Sequence, residues 1–449
     1  MKKLTLISAI VMINQVSVAQ SINKEILLNK PRAEFIRQLE TDDKITAQMA
    51  LNQIHQFNKY EKINETGKEY ILTIEDKVFG KVPFRLFIPK GYNPAVKNPM
   101  ALLLHGAVGE SNFQRAYDTR TKIHDIFFDA LAKQNYIIIR PFADPSKKFD
   151  WAINRFEDFG ESGSASKNNE TYRTLVEMVN YCKSFLNVHD QKVFSYGHSD
   201  GADGTFLLQL GYPTPFAGFV CYNSMLTNIF AKNVYLNNAV NRPLFLVHSD
   251  RDDLRPIEQI RVIRKTLTES GSPVSYKEYL GYQHYDKHLD KDIPNSISFL
   301  NTTARNAFKK TIRWETGNYM NTTCDWIAIR KFDTKKPGAP FHKPIAMQSY
   351  NKKSKKWDTI PYYNNEESSM IKAELKGNTF YVETSRVNEF DIFISPAMVN
   401  TDENIKVVLN NKVVFDKKIP YNKAFMVKNF KTNTDRELVW VNYISLKVN

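Results

Sequence analysis

Gly197-His198-Ser199-Asp200-Gly201 sets a serine between two glycines at equal spacing. A serine hydroxyl is a weak nucleophile until a neighbouring base takes its proton. It also has to be presented on a tight turn, and flanking glycines relieve the crowding such a turn creates. An apolar run at 193–196 leads into the motif and a helical pattern follows it. A strand-to-helix turn of this kind would hold the Ser199 hydroxyl above the edge of a sheet. The competing reading is an ordinary turn serine.

Three further segments supply partners for such a serine. The stretch 102–109 reads Leu-Leu-Leu-His-Gly-Ala-Val-Gly, a strand that ends in His105-Gly106 and a glycine-containing loop. A loop there can offer a backbone N–H to a developing oxyanion. Ala107 is the assigned donor, with Val108 as the alternative, and the second N–H would come from Asp200, the residue after the nucleophile. The stretch 247–256 closes another apolar strand with three aspartates ahead of Pro256. An acid on that loop can orient and charge-balance a histidine. Asp252 is assigned by its place behind His248 and ahead of Pro256. Asp250 and Asp253 compete, and the losing residues would serve the start of the next helix. Leu280-Gly281-Tyr282-Gln283-His284 closes the last strand of the series. His284 is the assigned base and His288 its rival. The order Ser199, Asp252, His284 along the chain is one that a known sheet architecture uses.

The elements around these residues alternate. Short apolar strands are expected at 100–104, 136–139, 193–196, 218–221, 244–247 and 276–280. Helices are expected at 121–133, 170–186, 202–210, 256–269 and 294–300. Strands apolar on both faces, each followed by a helix, predict an α/β class with a mostly parallel sheet covered on both sides. Two strands at 70–74 and 84–88 precede them. The region 141–169 is long, irregular and aromatic, and Trp151 is assigned to the wall of a substrate pocket. The alternative is that these aromatics pin the loop to the core.

Outside that region the pattern changes. Residues 21–62 read as helices of no evident role. After 301 short strands take over, at 312–314, 326–329, 380–383, 391–394, 405–409 and 413–415, with Asn410-Asn411 as a hairpin turn. Residues 335–356 are rich in Lys and Pro and read as an exposed loop. Four of the five tryptophans (Trp314, Trp326, Trp357 and Trp440) fall in this tail. They read either as core or as platforms for carbohydrate contact by the C-terminal domain. The expected organisation is a signal peptide at 1–19, a helical N-terminal extension at 20–68, a catalytic unit at 69–301 and a small C-terminal β-rich domain at 302–449.

Lys2 and Lys3 followed by an apolar run to Ile13 and Ser17-Val18-Ala19 predict that signal peptide, and with it a secreted or periplasmic protein. No later run has the length of an integral membrane segment. Three cysteines, Cys182, Cys221 and Cys324, form no disulfide framework and no zinc pattern. The net charge of +14 is uneven, with 25 basic against 15 acidic residues from Asn301 onward. That surplus suits a solvated basic face or attraction to an anionic surface or polysaccharide. No nucleic-acid motif accompanies it.

The four chemical segments, over about 70–300, resemble secreted bacterial esterases of the α/β-hydrolase superfamily. The likeness is to the phospholipase/carboxylesterase, feruloyl esterase and polyhydroxyalkanoate depolymerase group. It implies an α/β-hydrolase fold and hydrolysis of a small-molecule or polysaccharide-linked ester through an acyl-enzyme, with no cofactor and no metal. It implies Ser199, Asp252 and His284 as nucleophile, acid and base, and Ala107 and Asp200 as oxyanion donors. Two departures stand out: Ala202 in place of a further glycine, and His105-Gly106-Ala107 in place of His-Gly-Gly. Two other readings remain. One is a serine exopeptidase of the prolyl-oligopeptidase kind, although no propeller-like repeat precedes the hydrolase region. The other is a non-catalytic binding protein on the same fold. The serine assignment makes a direct prediction. Ser199→Ala lowers turnover by several orders of magnitude and Ser224→Ala does little, whereas equal losses would mean the wrong serine.

Overall fold

The computed structural model describes residues 27, 29–107, 122–147, 149–151, 164–224, 235–317, 321–343, 346–351, 354–361 and 368–448. The leader expected at 1–19, Val108, and Phe156 and Phe159 of the aromatic loop lie outside them. Eight strands form the central sheet: β1 (Lys68–Asp76), β2 (Gly80–Ile88), β3 (Asn98–Leu104), β4 (Ile137–Pro141), β5 (Val188–His198), β6 (Gly218–Tyr222), β7 (Leu244–Ser249) and β8 (Val274–Tyr279). Their order is β1-β2-β4-β3-β5-β6-β7-β8. β2 runs antiparallel to both its neighbours, and the pairs from β4 to β8 are parallel.

The pattern of burial explains the sheet. Every residue of β4, β6 and β7 is buried, so these strands face helices on both sides. The helices, in chain order, are α1 (Lys30–Thr41), α2 (Ala47–Gln56), α3 (Lys122–Lys133), α4 (Ser164–Phe185), α5 (Asp200–Gly211), α6 (Ile257–Glu269) and α7 (His288–Thr302). α3 and α7 cover one face, packing Phe127, Leu131, Leu289 and Leu300 against Tyr196, Val220 and Val247. α4, α5 and α6 cover the other, through Leu175, Met178, Phe206, Ile260 and Ile263. This is the α/β-hydrolase fold; the strand and helix alternation predicts its α/β class and mostly parallel sheet, and the resemblance implies the fold itself. α7 begins six residues ahead of the expected start and carries Pro294 inside it.

The tail holds a four-stranded and a five-stranded sheet around a separate core. The expected hairpin at Asn410-Asn411 is present, with φ of 47° and 68°, the left-handed pair such a turn requires. Several features depart from expectation. Part of 335–356 is not loop, because Ala346–Asn351 pairs with Lys356–Pro361 in a two-stranded ribbon. A helix, α8 (Lys423–Asn433), interrupts the strands, and the strands Ser368–Lys376 and Asn442–Lys447 carry weaker apolar signals than those foreseen. Trp314, Trp326 and Trp440 are buried in the core, so none of them is a platform for sugar; Trp357, on the ribbon, is exposed. α1 and α2 gain a role: Ile36, Leu39, Leu51 and Ile54 complete the tail's core rather than the hydrolase core.

Buried charge joins the tail to the hydrolase unit. The Asp435 carboxylate accepts from Lys183 Nζ at 2.9 Å and from both terminal nitrogens of Arg305 at 2.7 and 2.9 Å. Arg436 donates to Asp190 at 2.9 Å and Asn187 at 2.8 Å, and Arg242 pairs with Asp325. Burial alone would raise the Asp435 carboxyl; Arg305 and Lys183 outweigh it and hold the group ionised. Removing one partner of such a cluster leaves buried charge uncompensated. Asp435→Ala is therefore expected to lower unfolding free energy by about 3–5 kcal/mol. Denaturant unfolding of both proteins checks this, and a loss near zero would contradict the cluster's role.

Candidate active site

The site begins where β5 stops. β5 ends at His198 and α5 starts at Asp200, which leaves Ser199 alone at the turn with φ 58° and ψ −127°. A non-glycine residue there stores about 1–3 kcal/mol of strain. The flanking glycines make the turn sterically possible. A Cβ on Gly197 would lie 2.2 Å from the Gly201 carbonyl oxygen, and one on Gly201 would lie 2.1 Å from that of Leu104. The turn is thus pressed onto the end of β3, whose Leu104 is paired with Gly197. The Ser199 N–H is held by the Tyr222 carbonyl at 3.0 Å.

Three side chains converge at this point. Ser199 Oγ lies 2.9 Å from His284 Nε2, and His284 Nδ1 lies 2.7 Å from Asp252 Oδ2. All three residues are buried. An ionised carboxylate only accepts, so Nδ1 carries the proton. Nε2 is then left to accept from the serine hydroxyl. Of the competing aspartates, Asp250 accepts from the Gly281 N–H at 2.6 Å, and Asp253 is exposed. His288, the rival base, bonds Asn223 Oδ1 through Nε2 at 2.9 Å and does not reach the serine.

The Asp252 carboxylate is enclosed by donors. Oδ2 accepts from His284 and from Asn223 Nδ2 at 2.7 Å; Oδ1 accepts from the N–H groups of Leu254 at 3.1 Å and Arg255 at 2.8 Å. Burial would raise this carboxyl, but the bonds from His284, Asn223 and Arg255 outweigh it and hold it below the usual range. His248 Nε2 donates to the Arg255 carbonyl at 2.7 Å and fixes the loop that carries the acid. Asn223 is a residue that sequence reasoning missed. It follows β6 at the carboxyl end of the sheet, and that position is the available signal.

Arg255 was missed as well. Its guanidinium is buried, pairs with Asp200 and Asp203 at 2.5 Å each, and brings Nη2 to 3.4 Å from Ser199 Oγ. Burial opposes its charge, and the two aspartates more than compensate. One arginine therefore ties the start of α5 to the acid loop.

The expected oxyanion donors sit at the two element ends that meet here. Ala107 follows β3, and Asp200 opens α5, where the helix dipole favours negative charge. His105 Nε2 accepts from the Ala143 N–H at 3.0 Å, so Nδ1 donates to the Gly106 carbonyl at 2.7 Å. Trp151 packs into the core. It is 1% exposed, its indole N–H donates to the His105 carbonyl at 2.9 Å, and its Cβ presses on Gly204. It holds the end of the strand that leads to Ala107, in keeping with the alternative that these aromatics pin the loop to the core, and Gly204 leaves the slot in α5 that takes it.

No family model matches the chain, and no curated protein matches it. Among solved structures, a thermostable esterase aligns with TM-score 0.44 at 20% identity over 53% of this chain and 63% of its own. A ferulic acid esterase aligns with TM-score 0.40 at 17% identity over 53% of this chain and 98% of its own. Porphyromonas gingivalis dipeptidyl peptidase 4 aligns with TM-score 0.39 at 11% identity over 53% of this chain and 36% of its own. Each of these alignments spans just over half of this chain.

The histidines behind the acid predict a pH effect on stability. Burial lowers the His288 imidazole to about 4 and lowers His248 in the same direction. An unfolded histidine titrates near ~6.5, so in between the unfolded chain binds protons that the folded chain refuses. The stability is complete above that value and is lost as pH falls toward 4. Melting temperature should drop over this window, and less steeply in His288→Gln; equal slopes would contradict the assignment.

Proposed function

We propose that the chain hydrolyses carboxylic esters through an acyl-enzyme on Ser199. The observation that carries this reading is the unbroken relay from the strained Ser199 hydroxyl through His284 to the sealed Asp252 carboxylate. His284 Nε2 takes the hydroxyl proton as Oγ attacks the ester carbon. Asp252 stabilises the imidazolium that results and keeps its ring oriented. The carbonyl oxygen gains negative charge and is received by the N–H groups of Ala107 and Asp200. His284 then returns its proton to the departing alcohol. Water repeats the sequence on the acyl-serine and frees the acid. The substrate is a small-molecule or polysaccharide-linked ester.

Two measurements test this. A fluorophosphonate probe should label the folded protein at Ser199, located by peptide mass, and should leave Ser199→Ala unlabelled. Folded wild-type protein that resists the probe would favour a binding role instead. A panel of p-nitrophenyl esters against aminoacyl-anilides should show turnover of the esters. Preference for the anilides would move the assignment to a serine exopeptidase.

A further inference from the structure

The guanidinium of Arg255 makes one contact more than charge balance requires. Each of its terminal nitrogens has an aspartate of its own. Nη1 donates to Asp203 Oδ2 and Nη2 donates to Asp200 Oδ1, both at 2.5 Å. Asp203 is fixed in turn by the Ser224 hydroxyl, which donates to Oδ1 at 2.7 Å. Those two bonds from Arg255 are enough to neutralise the carboxylates. Nη2 also donates to Ser199 Oγ, at 3.4 Å. A terminal guanidinium nitrogen carries two hydrogens in one rigid plane, so a bond made by the first aims the second. The side chain is buried and keeps its charge, because Asp203 and Asp200 outweigh the burial that opposes it. The nucleophile oxygen therefore stands beside a fixed cationic donor.

A hydroxyl oxygen has two bonds and two lone pairs. At Ser199 the bonds go to Cβ and to the hydrogen, which points to His284 Nε2 at 2.9 Å, and one lone pair accepts from Arg255. The other lone pair is the one that must form the bond to an ester carbon. We propose that Arg255 is a further catalytic residue, whose Nη2–H holds one lone pair of Ser199 Oγ and stabilises the charge on that oxygen whenever it gives up or regains its proton. In the first half-reaction the Oγ–H bond breaks, the proton passes to His284, and the free lone pair closes the bond to carbon. In the second half-reaction the carbon–Oγ bond breaks, its electron pair returns to Oγ, and His284 gives the proton back. Oγ is richest in negative charge at those two moments and meets the same donor at both. Arg255 keeps all its own protons throughout. A separation of 3.4 Å is long for a bond to a neutral hydroxyl, and a cationic donor draws closer as its acceptor gains charge. The inference deepens the ester-hydrolase reading and rests on it.

The test removes the contact in two ways. Arg255→Lys keeps a cation beside the aspartates but loses the planar fork and its reach. Arg255→Met combined with Asp200→Asn and Asp203→Asn removes the contact together with the charges that needed neutralising. Melting temperature shows that each variant folds. The rate of fluorophosphonate labelling at Ser199 reads the attack by Oγ, and the burst and steady phases of p-nitrophenyl ester turnover read the two half-reactions. The expected result in either folded variant is a fall of about 10–100-fold in the labelling rate and in both phases. Rates within about threefold of wild type in either folded variant would mean that Arg255 serves only to neutralise the aspartates, and would overturn the proposal. A loss of ester turnover with labelling unchanged would overturn it as well, because the defect would then lie in holding the ester. Wild-type protein that is neither labelled nor active on the ester fails the underlying reading; labelled, active wild type beside full-rate variants fails Arg255 alone.

Discussion

A carboxylate shut away from water keeps its charge only if the protein replaces the hydrogen bonds that water gave it. Asp252 meets that condition with four donors from three parts of the chain: His284, Asn223, and the N–H groups of Leu254 and Arg255. Each donor is fixed in turn. Asn223 bonds His288 and Ser249, and the Arg255 carbonyl takes the His248 proton. The orientation of His284 follows from Asp252, and the direction of the serine hydroxyl follows from His284. The ends of β6, β7 and β8 thus form one hydrogen-bonded assembly, which His284 extends to Ser199.

The other half of the site is governed by contact distance. Gly197, Gly201 and Gly204 let α5 approach β3 and Trp151 more closely than any side chain would allow. That approach goes with the positive φ of Ser199 and brings the start of α5 against the end of β3, at Leu104 and His105. Close packing alone would leave two aspartates buried near Ser199, and Arg255 neutralises them. The guanidinium spans Asp200 and Asp203, so the strained turn and the acid loop are held by one side chain.

The tail has a core of its own. Its core is completed by α1 and α2 from the other end of the chain. Lys183, Asp190, Arg305, Asp435 and Arg436 bind it to α4, β5 and the segment after α7. Buried ion pairs are a weak source of stability but a strict one for geometry, because each charge tolerates only its partner. This accounts for a fixed placement of the tail on the α/β unit.

The local rules were written in the chain. Apolar runs buried on both faces spelled out β3 to β7, the glycines around Ser199 marked the turn, and Asn410-Asn411 marked a hairpin, because each depends on neighbours a few residues apart. The positions of Ser199, Asp252 and His284 were legible for the same reason: each follows the end of a strand, where side chains gather above a parallel sheet. What depended on distant partners was not legible. Trp151 went to the core because Gly204 left room for it, and α1 and α2 joined a sheet some three hundred residues later. Asn223 and Arg255 acquire their partners only from groups that folding brings beside them. A sequence displays periodicity and turn chemistry directly, whereas burial and hydrogen-bond partners exist only once the chain has closed on itself.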